Sequence, residues 1–280
     1  MQLDALYRYP VKSCRGESLT AAMVEPWGLA GDRRWQVVDA DGDCLTAREY
    51  PRMLLITPQL RPDGGIRFSA PDIADLSVDR PAGEPVEVRV HKDELTAVPA
   101  GPVADRWFTE LLGVDARLVY QHDPTGRHAN PLFAAPDDVV SLADGYPLLL
   151  ATTASLDALN DLVVTGPLAH EGPLPIRRFR PNVVVSGGAP WAEDGWRRIK
   201  IGAAVFRAVK GCDRCVMTTT DPDTAARGKE PIATLSRHRR WDAKTWFGMN
   251  LVPDSPGATI RVGDEVEILD AVAAPDGPPR

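Results

Sequence analysis

Between Lys210 and Thr224 the chain places two thiols, two cations and a turn within fifteen residues. The core of that stretch is Lys210-Gly211-Cys212-Asp213-Arg214-Cys215. A thiolate, not a thiol, is the nucleophile or metal ligand, and nearby cations favour it. Three chemistries suit Cys212-x-x-Cys215. A zinc site needs four ligands, usually with a second Cys or His pair at short spacing. Cys14 and Cys44 are solitary, and His91, His122, His128, His170 and His238 do not fall at ligand spacing. A thioredoxin-type dithiol would open a helix in a βαβ unit. Here a β-prone run, Val216–Thr220, follows and predicts a strand that begins at the thiol, with Asp221-Pro222-Asp223 as the turn after it. A pair of half-buried structural cysteines is the third possibility, and it leaves the adjacent cations without a role.

Other segments could bind an anion. Arg177-Arg178-Phe179-Arg180-Pro181-Asn182 is the densest basic cluster, readable from this run alone as a solvated charged face. Pro10–Gly16 is a loop carrying Lys12, Ser13 and Arg15, and Arg33 and Arg34 stand at a loop-to-strand junction. Thr152-Thr153-Ala154-Ser155 opens a segment with Leu156, Leu159, Leu162 and Val163 at helical spacing. Such a start caps a helix, and its free N–H groups also suit a phosphate.

The elements that must position these groups are mostly short strands. Leu3–Tyr9, Trp35–Val38, Cys44–Ala47 and Val86–Val90 read as strands, with hairpin signals at Asp41-Gly42 and Asp63-Gly64-Gly65. That succession predicts a barrel or sandwich. Pro102–Leu112 breaks it with an amphipathic helix, and Ala116–Gln121 follows as a strand. The polar segment His122–Asp138 is the expected crossing between two domains, 1–125 and 126–273. Beyond it, Leu148–Ala151, Val183–Ser186 and Ile199–Ala208 read as strands, Ile232–Arg239 as a short helix, and Thr259–Leu269 as a hairpin with Gly263-Asp264 at its tip. Residues 274–280 read as a disordered tail.

Composition limits what such a chain does. With 280 residues, 44% apolar and 25% charged, it has the makings of two folded domains. A net charge of −7 speaks against nucleic acid as a partner, whereas a small basic pocket within an acidic whole can still take a small anion. No apolar run reaches membrane-spanning length and Met1-Gln2-Leu3-Asp4 is unlike a signal peptide, so the expected location is the cytoplasm with no membrane partner. Four scattered cysteines agree with a reducing compartment.

Taken together, several of these segments resemble the MOSC family, named for the C-terminal domain of molybdenum cofactor sulfurase, with its companion N-terminal β-barrel. The likeness runs through Tyr9-Pro10-Val11-Lys12-Ser13-Cys14, Gly31-Asp32-Arg33-Arg34-Trp35 and Leu45-Thr46-Ala47-Arg48 in the first half. In the second half it runs through Ala154-Ser155-Leu156, Arg178–Asn182, Glu193-Asp194 with Trp196, Cys212-x-Arg214-Cys215 with Thr218-Thr219, Asp221–Thr224 and Glu230-Pro231. The resemblance implies a mainly β, α+β fold of two barrel-like domains. It also implies a molybdenum-pterin cofactor with Cys215 as the metal's thiolate ligand, a soft donor of the kind this metal favours. Lys12, Ser13, Arg33, Arg180 and Asn182 match the family's cofactor-anchoring positions. Arg214 and the helix start at Thr152 and Ser155 would add donors, and Asp144 falls at a position near the metal. Two departures stand out: Ala225 occupies a position usually Gly, and Gly145-Tyr146 lack the hydroxyl pattern of the mitochondrial relatives.

The function so implied is reduction of a small N-hydroxylated substrate. Electrons would come from a separate flavin, ferredoxin or cytochrome-type protein, since no plant-type iron–sulfur cysteine run is present. The chain also lacks the pyridoxal-phosphate half of the sulfurase. The rival expectation is a non-catalytic carrier of the cofactor, or of sulfur on Cys215.

Overall fold

The computed structural model describes residues 1–273 and 276–280. Its largest unit is a nine-stranded sheet formed mostly by the second half of the chain. Leu148–Thr152 runs parallel to Val183–Ser186, and the helix Thr153–Val164 lies within the crossover that joins them, as a parallel pair requires. The remaining ladders of this sheet are antiparallel, including Ala204–Asp213 with Lys244–Pro253. Alternate residues such as Leu148, Leu150, Val183, Val185, Ile199, Phe206, Met249 and Leu251 face one buried core.

The first strand of the chain belongs to that same sheet. Gln2–Arg8 pairs with Val183–Ser186 on one side and with Glu17–Leu19 on the other. Ala21–Glu25 pairs with Thr259–Arg261. The N-terminal end is therefore woven into the C-terminal half, and the loops after its strands lie against that half's cleft. The rest of the first half forms two antiparallel sheets of four and three strands around a second core. The helix Pro102–Leu112, at the predicted residues, places Trp107 and Phe108 against Phe68 in that core.

Four expectations are corrected. Cys44–Ala47 forms one bridge, Val38 to Cys44, and then a turn instead of a strand. Ile199–Ala208 is two strands, Trp196–Ile201 and Ala204–Asp213, because Gly202 turns the chain at a φ of 55°. Thr259–Arg261 and Val266–Ala271 pair with different strands, so no hairpin forms there. Val216–Thr219 is a 3-10 turn. There the Thr218 and Thr219 hydroxyls donate to the carbonyls of Cys215 and Val216, at 3.0 and 2.8 Å, and these local bonds outweigh β-propensity. Of the tail read as disordered, residues 274 and 275 lie outside the described residues. Pro278 is buried, and the Gly211 N–H donates to the Pro279 carbonyl at 2.8 Å. No helix among the described residues is long and apolar enough to cross a membrane.

The Asp221–Thr224 turn forms with Ala225 in the left-handed region, at a φ of 59°. Asp221 Oδ1 accepts from the N–H groups of Asp223 and Thr224, and Arg178 and Arg177 clamp Asp221 and Asp223 from outside. An alanine there carries a strain of about 1–2 kcal/mol that glycine does not. Because glycine also loosens the unfolded chain, Ala225→Gly is expected to raise stability by only about 0.5–1 kcal/mol. A lower melting temperature for this variant would contradict that reading.

Candidate functional site

A cleft open to solvent lies where the two halves meet. Lys12, Ser13, Arg33, Asp144, Arg180, Asn182, Arg214 and Cys215 all line it. Residues from opposite ends of the sequence are thus brought together by the pairing of the first strand with Val183–Ser186.

At one end is the thiol. The strand Ala204–Asp213 carries two register shifts, between Ala208 and Lys210 and between Gly211 and Asp213. Bulges of this kind re-aim side chains beside active sites. Gly211 is required at the second, since a Cβ there would lie 2.6 Å from Pro278 and 3.1 Å from the Trp246 ring. Cys215 emerges just beyond and is exposed. Burial pushes the other three thiols away from ionisation: Cys14 to about 12, Cys44 to about 11, and Cys212 upward despite the opposing Arg214. Arg214 lines the cleft, but its guanidinium is engaged by the Cys212 sulfur at 2.8 Å and the Phe179 carbonyl at 2.6 Å.

Beside the thiol lies a hub of charge. Asp144 accepts hydrogen bonds from Lys12, from Arg48 at 2.9 Å and, through Oδ1, from His91 Nε2 at 3.2 Å. Crowding by the protein opposes its ionisation. Lys12, the His91 hydrogen bond and Arg48 together override this and hold the carboxyl well below its usual range. Arg48 lines the cleft together with Cys215, and burial works against its charge less than Asp144 and its other neighbours support it.

At the other end are two arginines. Arg33 pairs with the fully buried Asp32 at 2.5 Å, donates to Asn182 Oδ1 at 3.0 Å, and keeps its charge because Asp32 outweighs its burial. Arg180 donates to the Cys14 carbonyl at 2.7 Å and forms no ion pair among the described residues. Burial, with Arg33 nearby, pulls it down to about 10, so it remains a cation at neutral pH. Ser13, Arg33 and Arg180 all have positive φ, at 68°, 47° and 55°. Such strained residues concentrate at functional sites, where the surrounding structure holds them.

Three sequence expectations change here. Thr152 and Ser155 are buried away from the cleft. Thr152 caps the helix by accepting from Ser155 N at 3.1 Å, and both hydroxyls turn to the Glu193 carboxyl, away from the cleft. Asn182 lines the cleft but uses its amide within the protein: Oδ1 accepts from Arg33 and Leu149, and Nδ2 donates to Tyr7 and Asp32. It aligns Arg33. The basic cluster is not a solvated face either, because Arg178 and Arg180 point inward and Arg177 pairs with Asp223.

Arg48, Thr46, Met217, Thr218 and Asn250 also line the cleft, although no local signal marks them as site residues by themselves. For Arg48 the motif Leu45-Thr46-Ala47-Arg48 was available, but nothing in the local pattern shows a loop from the first half reaching Cys215. No group of three or more His, Cys, Asp or Glu suited to hold a metal occurs among the described residues.

Family models match both halves of the chain: the MOSC N-terminal beta barrel domain over residues 1–115 and the MOSC domain over residues 137–267. Mitochondrial amidoxime-reducing component 1 of Homo sapiens is 34% identical over 94% of this chain and 82% of its own length. The chain belongs to the MOSC family. The mouse protein of the same name is 33% identical over 94% of this chain and 81% of its own. Mitochondrial amidoxime reducing component 2 of Homo sapiens is 33% identical over 93% and 81%. Matches that span both halves fit a cleft to which both MOSC domains contribute.

Proposed function

We propose that the cleft holds a molybdenum-pterin cofactor and that the protein is an oxidoreductase acting on N-hydroxylated compounds. The observation that carries this is the pairing, in one cleft, of an exposed soft thiol with a half-buried arginine that has no carboxylate partner among the described residues. A half-buried cation facing a cleft without a carboxylate partner is suited to an anion brought by a ligand. Cys215 would hold the metal, while Arg180, Arg33, Lys12 and Ser13 would hold the phosphate and pterin end. When bound, the cofactor supplies two-electron oxygen-atom chemistry.

The chain's own residues do the rest. Asp144 presents an ionised carboxylate at the thiol end, able to accept a hydrogen bond from an N–H of an amidoxime or N-hydroxylated base. Arg48 steadies that carboxylate and would add positive charge to the thiol end of the cleft. The overall change takes two electrons and two protons: the N–O bond breaks, nitrogen gains hydrogen and oxygen departs as water. In this proposal the electrons are delivered by a separate flavin, ferredoxin or cytochrome-type protein; these 280 residues hold no Gly-x-Gly-x-x-Gly fingerprint and no iron–sulfur cysteine run.

Cofactor-loaded protein should therefore reduce a simple amidoxime with a strong chemical donor and fail with NADH alone. No turnover across several N-hydroxylated compounds, together with transfer of the cofactor to an apo-enzyme, would replace this reading with that of a carrier. Arg180→Ala is expected to weaken pterin retention by about 1.5–3 kcal/mol, the worth of a charge-assisted hydrogen bond. Lys12→Ala should do less, since an ammonium lacks the planar fork and Lys12 is already committed to Asp144. Unchanged pterin content in Arg180→Ala, measured after oxidative release, would remove Arg180 from the site.

A further inference from the structure

The cationic end of the cleft is built on a buried aromatic ring. The Arg180 guanidinium lies 4.2 Å from the centroid of Tyr9 and that of Arg33 lies 4.5 Å from it. Tyr9 is only 3% exposed, and its polar atoms are fixed on both sides of the domain junction. The phenol donates to the Pro181 carbonyl at 3.1 Å, one residue beyond Arg180. The Tyr9 N–H donates to Asp32 at 2.8 Å, the carboxylate paired with Arg33, and the Tyr9 carbonyl accepts from Arg33 N at 2.7 Å. One residue thus touches both guanidiniums, the carboxylate paired with Arg33 and the backbone beside each arginine.

The pair needs such a support. Two guanidiniums set close together repel, and only Arg33 has a carboxylate among the described residues to offset this. An aromatic face attracts both cations through its quadrupole, and more strongly where water is excluded. The ring is also held at its edge. A Cβ on Gly16 would lie 2.4 Å from Cε1 and 2.6 Å from Cδ1 of Tyr9, so glycine at that position leaves the notch in which the ring sits.

We propose that Tyr9 is the positioning residue of the anion end: its ring, seated in the Gly16 notch, sets Arg180 and Arg33 as one receptor for a phosphate monoester. This rests on the cofactor reading above, and it concerns geometry that exists whether or not a cofactor is bound. The phenol oxygen is not required for it, whereas the ring and its placement are.

The test compares Tyr9→Leu, Tyr9→Phe and Gly16→Ala by two readouts besides turnover. One is pterin released per mole of purified protein. The other is the rise in melting temperature of cofactor-free chain titrated with inorganic phosphate. Tyr9→Leu and Gly16→Ala are expected to bind phosphate roughly tenfold more weakly than wild type, the scale of a desolvated cation–π contact. Tyr9→Phe should keep most of both readouts. If Tyr9→Leu does not fold, Gly16→Ala decides the matter, since it displaces the ring without removing it. Weaker stability with unchanged phosphate response in both variants would make Tyr9 merely a core residue and overturn the proposal. Wild-type chain that neither responds to phosphate nor carries pterin would instead overturn the cofactor reading on which it rests.

Discussion

Cys215→Ala is expected to lose its molybdenum completely, whereas Cys212→Ala should retain most of it. The two thiols are three residues apart, yet the fold treats them differently. Cys212 is held by burial against ionisation and engaged by Arg214, while Cys215 is exposed at the cleft end of the bulged strand. A metal displaces the proton of the thiol it binds, so a thiol whose surroundings oppose ionisation is the poorer ligand. Elemental analysis of the two purified variants, produced side by side in a cofactor-making host, measures this directly. Equal loss from both would mean that the metal is held by the dithiol. Equal retention would remove the thiols from the metal site.

The second large effect lies away from the cleft. Glu193 is 1% exposed, receives hydrogen bonds on Oε2 from Ser155 at 2.8 Å and Thr152 at 3.2 Å, and has no partner for Oε1 among the described residues. Burial pushes its carboxyl from 4.5 up to about 7, and the two hydroxyls only partly offset this. Below about pH 4.5 the folded and unfolded chains both hold the proton, and the group has no effect on stability. Between 4.5 and about 7 only the folded chain holds it, so stability falls as pH rises and the loss is complete above about 7. The loss amounts to about 3 kcal/mol, since each tenfold difference in proton affinity between the two states is worth roughly 1.4 kcal/mol. Glu193→Gln cannot ionise. Its denaturation midpoint should therefore decline less than that of wild type between pH 5 and pH 8. Parallel pH profiles for the two proteins would show that Glu193 ionises freely in the folded state.

Both predictions concern residues whose types could be read from the sequence and whose environments could not. The Cys212-x-x-Cys215 spacing, the arginine cluster and the family motifs identify the candidate ligands, because backbone chemistry and motif order are local properties. Local signals also sufficed for the helix Pro102–Leu112, where a proline start and an apolar stripe agree, and for the strand Val183–Ser186, whose three valines are all buried. Val216–Thr219 went the other way. Its β-branched residues suggest a strand, but the threonine hydroxyls find carbonyls three residues back and close a tight turn.

What only the tertiary structure decided is which of the polar residues are free to act. Thr152 and Ser155 have the right chemistry for an anion at a helix start, yet Glu193, distant along the chain, is packed against them and takes both hydroxyls. Asn182 is spent on aligning Arg33 for the same kind of reason. Arg180 and Arg178 are two residues apart in one basic run. Arg178 is folded onto the Asp221 turn, and Arg180 into the cleft with no counter-ion among the described residues. The sequence by itself determined the inventory of donors, thiols and strands. The pairing of Gln2–Arg8 with Val183–Ser186 decided their company, because burial and hydrogen-bond saturation depend on neighbours that are far apart along the chain.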